Sequence, residues 1–142
     1  DWLRRRFPDK PVAETVHAPL ELLGADGVTE PVAALRGRAV GGFCGLGHPA
    51  AFRRTLEDLG ATVASFRSYP DHHPYTSADV DELRRWAAEL PAEAVVATTQ
   101  KDFVKLRLAE LAGRPVRAVR VGLRFVAGED VFRQRLHDAT EG

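Results

Sequence analysis

Three short polar stretches hold most of the side chains that could do chemistry in this sequence. Residues 71–73 read Asp-His-His, residues 98–102 read Thr-Thr-Gln-Lys-Asp, and residues 44–49 read Cys-Gly-Leu-Gly-His-Pro. An imidazole titrates near neutral pH, and a carboxylate beside it can fix its tautomer and raise its basicity. The first stretch therefore suggests a site that takes a proton from a hydroxyl group.

Two other interpretations of residues 71–73 stay open. A metal site would need further ligands, whereas the other three of the five histidines are scattered along the chain. A polar turn would use Asp71 to accept hydrogen bonds from backbone N–H groups and would leave both histidines in solvent. Neighbours on an extended loop point in different directions, so only one of His72 and His73 is expected to face a given pocket.

The stretch at residues 98–102 combines hydroxyl groups, an ammonium group and a predicted helix N-terminus. Such an arrangement suits a phosphate or another anion, with Thr99, Lys101 and Asp102 as the candidate phosphate- or substrate-binding residues. The same pattern also fits helix capping, with Thr99 as the N-cap residue and Asp102 at the third helical position. In that case Lys101 is exposed.

The stretch at residues 44–49 continues into Ala50 and matches G-x-G-x-x-A, a loose form of the dinucleotide-binding fingerprint. Asp71 follows at about the distance where an acid that binds ribose would be sought. A free-standing nucleotide-binding module that uses the Gly45-Leu46-Gly47 loop is therefore one hypothesis. The other is that the two glycines only make a tight turn between a strand and a helix.

The elements that must position these stretches alternate between strands and helices. Apolar runs predict strands at residues 38–43, 61–66, 92–98 and 116–125. One helix is predicted to begin at Pro49, and a second to follow a cap at Thr76 or Ser77. Further helices are predicted at residues 101–111 and at 129–139. Their predicted core-facing residues are Phe52, Leu56 and Leu59; Val80, Leu83, Ala87 and Leu90; Val104, Leu108 and Leu111; and Val131, Phe132 and Leu136.

This alternation predicts an α/β fold, namely a largely parallel Rossmann-like sheet with helices on both faces. Two extended pieces around the turn formers Ala25-Asp26-Gly27 predict an N-terminal β-hairpin alongside. We expect a single domain over residues 1–142, with a leading segment and hairpin at 1–37 and an α/β core at 38–142. Ligands of such sheets bind beyond the carboxyl ends of the strands, where all three polar stretches fall.

Composition narrows the possible functions. The 142 residues are 44% hydrophobic and carry 20 basic and 20 acidic side chains, so no charge excess argues for binding nucleic acid. Arginines 4–6 between aromatic residues suit a solvated face or a membrane surface.

The single cysteine, Cys44, excludes an internal disulfide and fits a reducing compartment. Because the sequence starts at Asp1 and contains no methionine, we expect it to be part of a longer protein.

In their order and spacing, the three stretches and their flanks resemble the C-terminal part of the tetraacyldisaccharide 4'-kinases, the lipid A 4'-kinases of bacteria with an outer membrane. The similar blocks are RGRAVGGFCGLGHPAAFRRTLEDLGATV, FRSYPDHHPYTSADV and VVATTQKDFVKL, preceded by FPDKPV. Two positions depart from the family pattern. His48 stands where asparagine is usual, and Gln100 stands where glutamate is usual.

The resemblance implies a kinase in which an N-terminal P-loop domain binds ATP and Mg²⁺ and the C-terminal α/β domain closes over the lipid disaccharide. No G-x-x-x-x-G-K-[ST] motif occurs in these 142 residues, so we expect the chain alone to bind no ATP, Mg²⁺ or other metal and to be inactive. The resemblance assigns His72 as a catalytic residue that supports an aspartate base of the N-terminal domain, with Asp71 as its catalytic neighbour. His73 would only pack the turn.

The partners implied by the resemblance are the lipid disaccharide, the protein's own P-loop domain and a membrane surface, with no nucleic acid. The implied location is the cytoplasmic side of the inner membrane, to which the full-length protein would attach peripherally.

Overall fold

The computed structural model describes residues 14–127. The chain divides into two compact units, and all three polar stretches lie in the unit Pro19–Val121. Glu14–Ala18 and Gly122–Ala127 belong to the other unit. Arginines 4–6, the FPDKPV segment and the helix predicted at 129–139 lie outside the described residues.

Within the described residues, the structure has seven strands and three α-helices. The strands are β1 (Glu14–Leu23), β2 (Thr29–Pro31), β3 (Ala39–Cys44), β4 (Thr62–Ser68), β5 (Val95–Thr99), β6 (Glu110–Leu111) and β7 (Arg114–Ala127). The helices are α1 (Pro49–Asp58), α2 (Ser77–Ala88) and α3 (Gln100–Leu106), and a short 3₁₀ helix spans Val32–Leu35.

The sheet has the strand order β2-β1-β7-β5-β3-β4, with β6 paired to β7. Strand β3 runs parallel to β4 and β5, and β5 runs parallel to β7. The β1–β2 pair is antiparallel around a turn closed by a hydrogen bond from Gly24 N–H to the Val28 carbonyl. The predicted α/β fold with a largely parallel sheet and an N-terminal hairpin is confirmed.

Helices pack on both faces of β3 because its side chains alternate between two buried clusters. Val40 and Cys44 belong to the cluster that contains Phe52 and Leu56 of α1. Phe43 belongs to the opposite cluster, together with Leu83, Trp86 and Ala87 of α2 and Phe103 of α3.

The third helix is shorter than predicted. It ends at Leu106, after which Arg107 takes a left-handed backbone conformation with φ of 49°. A hairpin then pairs Leu111 of β6 with Arg114 of β7 through a turn in which Ala112 and Gly113 have positive φ. Leu111 is fully buried by this hairpin, whereas Val104 on the helix is 56% exposed. The prediction of one helix with Val104, Leu108 and Leu111 along its inner face is therefore wrong.

The neighbouring strands β3 and β5 connect to strands on opposite sides of them in the sheet. The chain passes from β3 through α1 to β4 on one side, and from β5 through α3 towards β7 on the other. In open α/β sheets the carboxyl ends of two such strands flank the crevice where ligands bind. Residues 44–49 and 99–102 lie at this position.

Candidate functional site

One buried carboxylate joins the three polar loops. Asp102, in the first turn of α3, is 0% exposed. It accepts hydrogen bonds from the Gly45 N–H at 3.1 Å and from the Tyr75 hydroxyl at 3.0 Å, and the Thr99 hydroxyl donates a third. The loops after β3, β4 and β5 therefore meet at a single side chain.

Local sequence explains how Asp102 reaches this position. Thr99 is the N-cap residue of α3, and its hydroxyl oxygen accepts a hydrogen bond from the Asp102 N–H at 3.1 Å. The same hydroxyl donates a hydrogen bond to the Asp102 carboxylate. Gly45 has no side chain, and a Cβ there would lie 3.1 Å from Asp102 Oδ1 and 3.2 Å from the Pro70 carbonyl oxygen. A glycine at 45 is what allows its N–H to approach the carboxylate.

This contact bears on both earlier interpretations of these loops. The Gly45 N–H already donates to a carboxylate, so it is not available to a dinucleotide pyrophosphate. Both oxygens of Asp102 are likewise occupied by protein donors, and the geometry favours a structural role for this residue. A contact with phosphate or substrate stays a prediction for Thr99, Lys101 and Asp102.

Asp71 and His72 lie at the surface. His72 has a left-handed backbone with φ of 59°, and its side chain is 76% exposed. Its Nε2 is 3.6 Å from Asp71 Oδ2, while Asp71 Oδ1 accepts hydrogen bonds from the His72 N–H at 3.1 Å and the Lys101 ammonium at 3.2 Å. The Lys101 hydrogen bond is the main cause that lowers the pKa of Asp71. An ionised carboxylate therefore lies beside an imidazole that solvent can reach.

His73 points the other way, into the turn. Its Nε2 lies 2.8 Å from Asp79 Oδ2 in the first turn of α2, and its ring stacks on Tyr69 with centroids 4.8 Å apart. Asp79 also accepts the N–H of Thr76, the N-cap residue of α2. Hydrogen bonds from the Thr76 backbone and then from His73 lower the pKa of Asp79. The structure thus ties His73 to α2.

Two tyrosines that sequence reasoning did not single out complete the loop. Tyr69, His73 and Tyr75 form a cluster of rings, and Tyr75 also meets the edge of Phe43. Burial, followed by the Asp102 charge, raises the pKa of Tyr75 well above its usual range, so its hydroxyl stays a donor. The signal in the sequence was the placement of a tyrosine just outside each proline of Tyr-Pro-Asp-His-His-Pro-Tyr.

An apolar groove of about 350 Å³ opens next to these loops on the side of α1. It is lined by Leu46, Ala51, Phe52, Thr55, Thr99, Gln100, Val119 and Val121. The acidic, histidine and cysteine side chains of residues 14–127 form no group of three that could hold a metal ion. No helix in that same part of the chain is both long enough and apolar enough to cross a membrane.

Comparison with known sequences decides the family. Residues 4–141 match the profile of a family described as "Tetraacyldisaccharide-1-P 4'-kinase". The chain belongs to this kinase family. The resemblance carried by the three ordered blocks is thereby confirmed.

Curated tetraacyldisaccharide 4'-kinases from several bacteria are similar to the chain. The protein of Anaeromyxobacter dehalogenans strain 2CP-C is 44% identical over 137 residues, which cover 94% of this chain and 36% of the relative. That of Syntrophus aciditrophicus is 41% identical over 106 residues, covering 74% and 28% respectively. The chain thus spans about a third of the length of the curated relatives it matches.

A solved kinase of this family has the same fold. The crystal structure of LpxK from Aquifex aeolicus, described as an "apo" form in complex with ATP, superposes with a TM-score of 0.58 at 28% identity. The match covers 91% of this chain and 36% of that one.

The two positions that depart from the pattern of the tetraacyldisaccharide 4'-kinases lie at helix N-termini. His48 is the N-cap residue of α1, and its side chain makes no capping hydrogen bond, which an asparagine there could supply. Gln100 is the first residue of α3 and lines the apolar groove. Both residues therefore lie beside the crevice between β3 and β5, and neither is a hydrogen-bond partner of Asp102.

Proposed function

We propose that this chain is the C-terminal domain of a kinase that transfers the γ-phosphate of ATP to the 4'-hydroxyl of tetraacyldisaccharide 1-phosphate, in lipid A biosynthesis. Membership of the kinase family supports the reaction class. The observation that carries the proposal is the pairing of an exposed His72 with an ionised Asp71 at the carboxyl edge of the parallel sheet. A histidine exposed in this way can reach a substrate or a group on another domain.

The proposed chemistry of this chain is help with proton transfer. As the 4'-oxygen bonds to phosphorus, its proton must leave, and the resemblance assigns its removal to an aspartate of the P-loop domain. His72 supports that base by stabilising the departing proton on or near its imidazole. Asp71 lies beside the imidazole and orients it, and Lys101 holds Asp71 through a hydrogen bond.

The loop after β3 does not suit the phosphates of ATP. The backbone N–H of Gly45, which a phosphate-binding loop would present, faces the Asp102 carboxylate instead, and a carboxylate at that point repels phosphate. We therefore expect ATP and Mg²⁺ to bind mainly to the N-terminal P-loop domain of the full-length protein. The chain alone is then inactive.

The proposed partners are the lipid disaccharide, the protein's own P-loop domain and a membrane surface, with no nucleic acid. The acylated substrate that the family description names supports peripheral attachment to a membrane, and the proposed location is the cytoplasmic side of the inner membrane. The balanced net charge supports the exclusion of nucleic acid.

An assay of the full-length protein tests the proposal. With ATP, Mg²⁺ and tetraacyldisaccharide 1-phosphate we expect a product phosphorylated at the 4'-position. The matched control is the 142-residue chain by itself, which we expect to give no product. A folded full-length preparation that binds ATP and transfers no phosphate to this acceptor would overturn the proposal.

A further inference from the structure

We propose that Tyr75 and Asp102 are positioning residues, whose hydrogen bond holds the loop bearing His72 in the conformation needed for proton transfer. This inference rests on the proposed function, because it concerns the same proton-transfer site. The Tyr75 hydroxyl donates to Asp102 Oδ1 at 3.0 Å, and the two residues come from different loops. The bond thus links the loop after β4 to the start of α3.

The loop needs such an anchor because it has little regular structure of its own. Residues 69–76 lie between β4 and α2 outside any helix or strand. His72 holds a positive φ of 59°, a conformation that costs a non-glycine residue free energy and persists only where its surroundings impose it. His72 itself, with a side chain 76% exposed, contributes little to holding that conformation.

The first turn of α3 holds the loop on both sides of His72. Lys101 contacts Asp71, one residue before the histidine, and Asp102 contacts Tyr75, three residues after it. The Lys101 contact is exposed, whereas Asp102 is fully buried and fixed by two further donors. The buried contact is the one that water competes with least, so it is the firmer of the two.

Tyr69 offers a matched comparison within the same cluster of rings. Its ring contacts both His73 and Tyr75, but its hydroxyl is buried and has no hydrogen-bond partner among the described residues. Removal of either hydroxyl leaves a phenylalanine ring of nearly the same shape. Only at Tyr75 does that removal break a hydrogen bond to α3.

The test compares Tyr75→Phe with Tyr69→Phe in the full-length protein, through steady-state kinetics and amide hydrogen exchange of residues 70–76. For Tyr75→Phe we expect kcat to fall between about tenfold and about 100-fold with KM little changed, because a displaced loop misplaces His72. Exchange in the loop should become faster. For Tyr69→Phe we expect both measurements to match the wild type.

Two results would overturn the inference. One is a Tyr75→Phe protein with wild-type kcat and wild-type exchange. The other is an equal loss in both variants, which would assign the effect to the cluster of rings. Hydrogen exchange does not depend on turnover. If the wild-type protein has no kinase activity, the proposed function is wrong, but the exchange rates of the two variants still show whether the Tyr75–Asp102 hydrogen bond holds the loop.

If Tyr75→Phe does not fold, Asp102→Asn replaces it as the test variant. The asparagine keeps the size of the side chain but turns one acceptor into a donor, which conflicts with Gly45 N–H or weakens the bond to Tyr75. We expect the same loss of kcat and the same faster exchange in residues 70–76. A folded Asp102→Asn protein with neither change would contradict the inference.

Discussion

The ammonium of Lys101 lies 3.2 Å from the carboxylate of Asp71, which ties the first turn of α3 to the residue immediately before His72. Both side chains are close to half-exposed, so water screens the pair and it contributes little to stability. Its main effect is on the position and ionisation of Asp71.

Replacement of Lys101 by glutamine should therefore lower kcat and leave the unfolding midpoint nearly unchanged. The pKa of Asp71 should rise towards its ordinary value, because its main hydrogen-bond donor is lost. Combining Lys101→Gln with Asp71→Asn separates two roles. If Lys101 acts through Asp71, the double variant is no worse than Asp71→Asn, whereas independent losses that multiply would indicate a direct contact with substrate. Arg84→Gln, which removes an exposed charge on α2 that pairs, among the described residues, only with Asp81, is the control.

His72→Ala and His73→Ala should fail in different ways. Loss of His72 should reduce kcat by about 10²-fold, the lower part of the range for general acid–base groups, without a change in stability, because its side chain is exposed. Loss of His73 removes the contact with Asp79 and the stack on Tyr69, and should destabilise the fold by roughly 1–3 kcal/mol. Thermal unfolding and steady-state kinetics of both variants check this. A destabilised His72→Ala with normal kcat would reverse the assignment.

Alanine should be tolerated at Gly47 and poorly tolerated at Gly45. A Cβ at 45 would lie within 3.4 Å of Asp102, Pro70 and Tyr75 atoms, whereas at 47 the nearest atom is Asp71 Oδ2 at 3.9 Å. Overpacking of this kind costs typically about 1–3 kcal/mol. Denaturant unfolding of the two variants measures the difference. Equal stabilities would show that the loop after β3 can shift away from Asp102 at little cost.

The start of α2 should lose stability in acid. The pKa of Asp79 is lower in the folded chain than its ordinary value, so this carboxylate stabilises the folded state at pH values above the unfolded pKa of about 3.9. That contribution to stability is lost as the pH falls below the unfolded pKa of Asp79 and then through its lower pKa in the folded chain. Unfolding measured between pH 6 and pH 3 should show a smaller decline for Asp79→Asn, with Asp81→Asn, which is exposed, as the control. Parallel curves for wild type and Asp79→Asn would contradict this expectation.

Calorimetry addresses the nucleotide-binding alternative. The 142-residue chain should give no binding heat with NAD, ADP or ATP and Mg²⁺, because Gly45 N–H is already bonded to Asp102. Measurable affinity for any of these nucleotides would favour the module that uses the Gly45-Leu46-Gly47 loop.

Periodicity predicted most of the fold because the buried faces of its elements are local patterns. The stripe of Phe52 and Leu56 and the capping signal at Thr76 can both be read within one helix, and both are confirmed. The end of α3 could not be read in this way. Leu111 keeps helical spacing, yet it is buried by a hairpin that forms only after Arg107 turns the chain.

The site was predicted in part. Strand ends placed the three loops at one edge of the sheet, and the structure brings them together. The contacts that join them, such as Tyr75 with Asp102 across 27 residues, depend on tertiary packing and leave no local pattern. His72 and His73 do point in different directions, although the backbone at His72 is left-handed and the loop there is not extended as predicted.

The buried position of Cys44 makes this part of the protein convenient for site-specific labelling. It is the only cysteine in the sequence, it lies inside the cluster beneath α1, and burial raises the pKa of its thiol to about 11. Maleimide reagents attack the thiolate, so Cys44 should stay unmodified in the folded protein. A cysteine introduced at an exposed position such as Val104 would then be the one residue of this chain that reacts with a fluorophore or spin label.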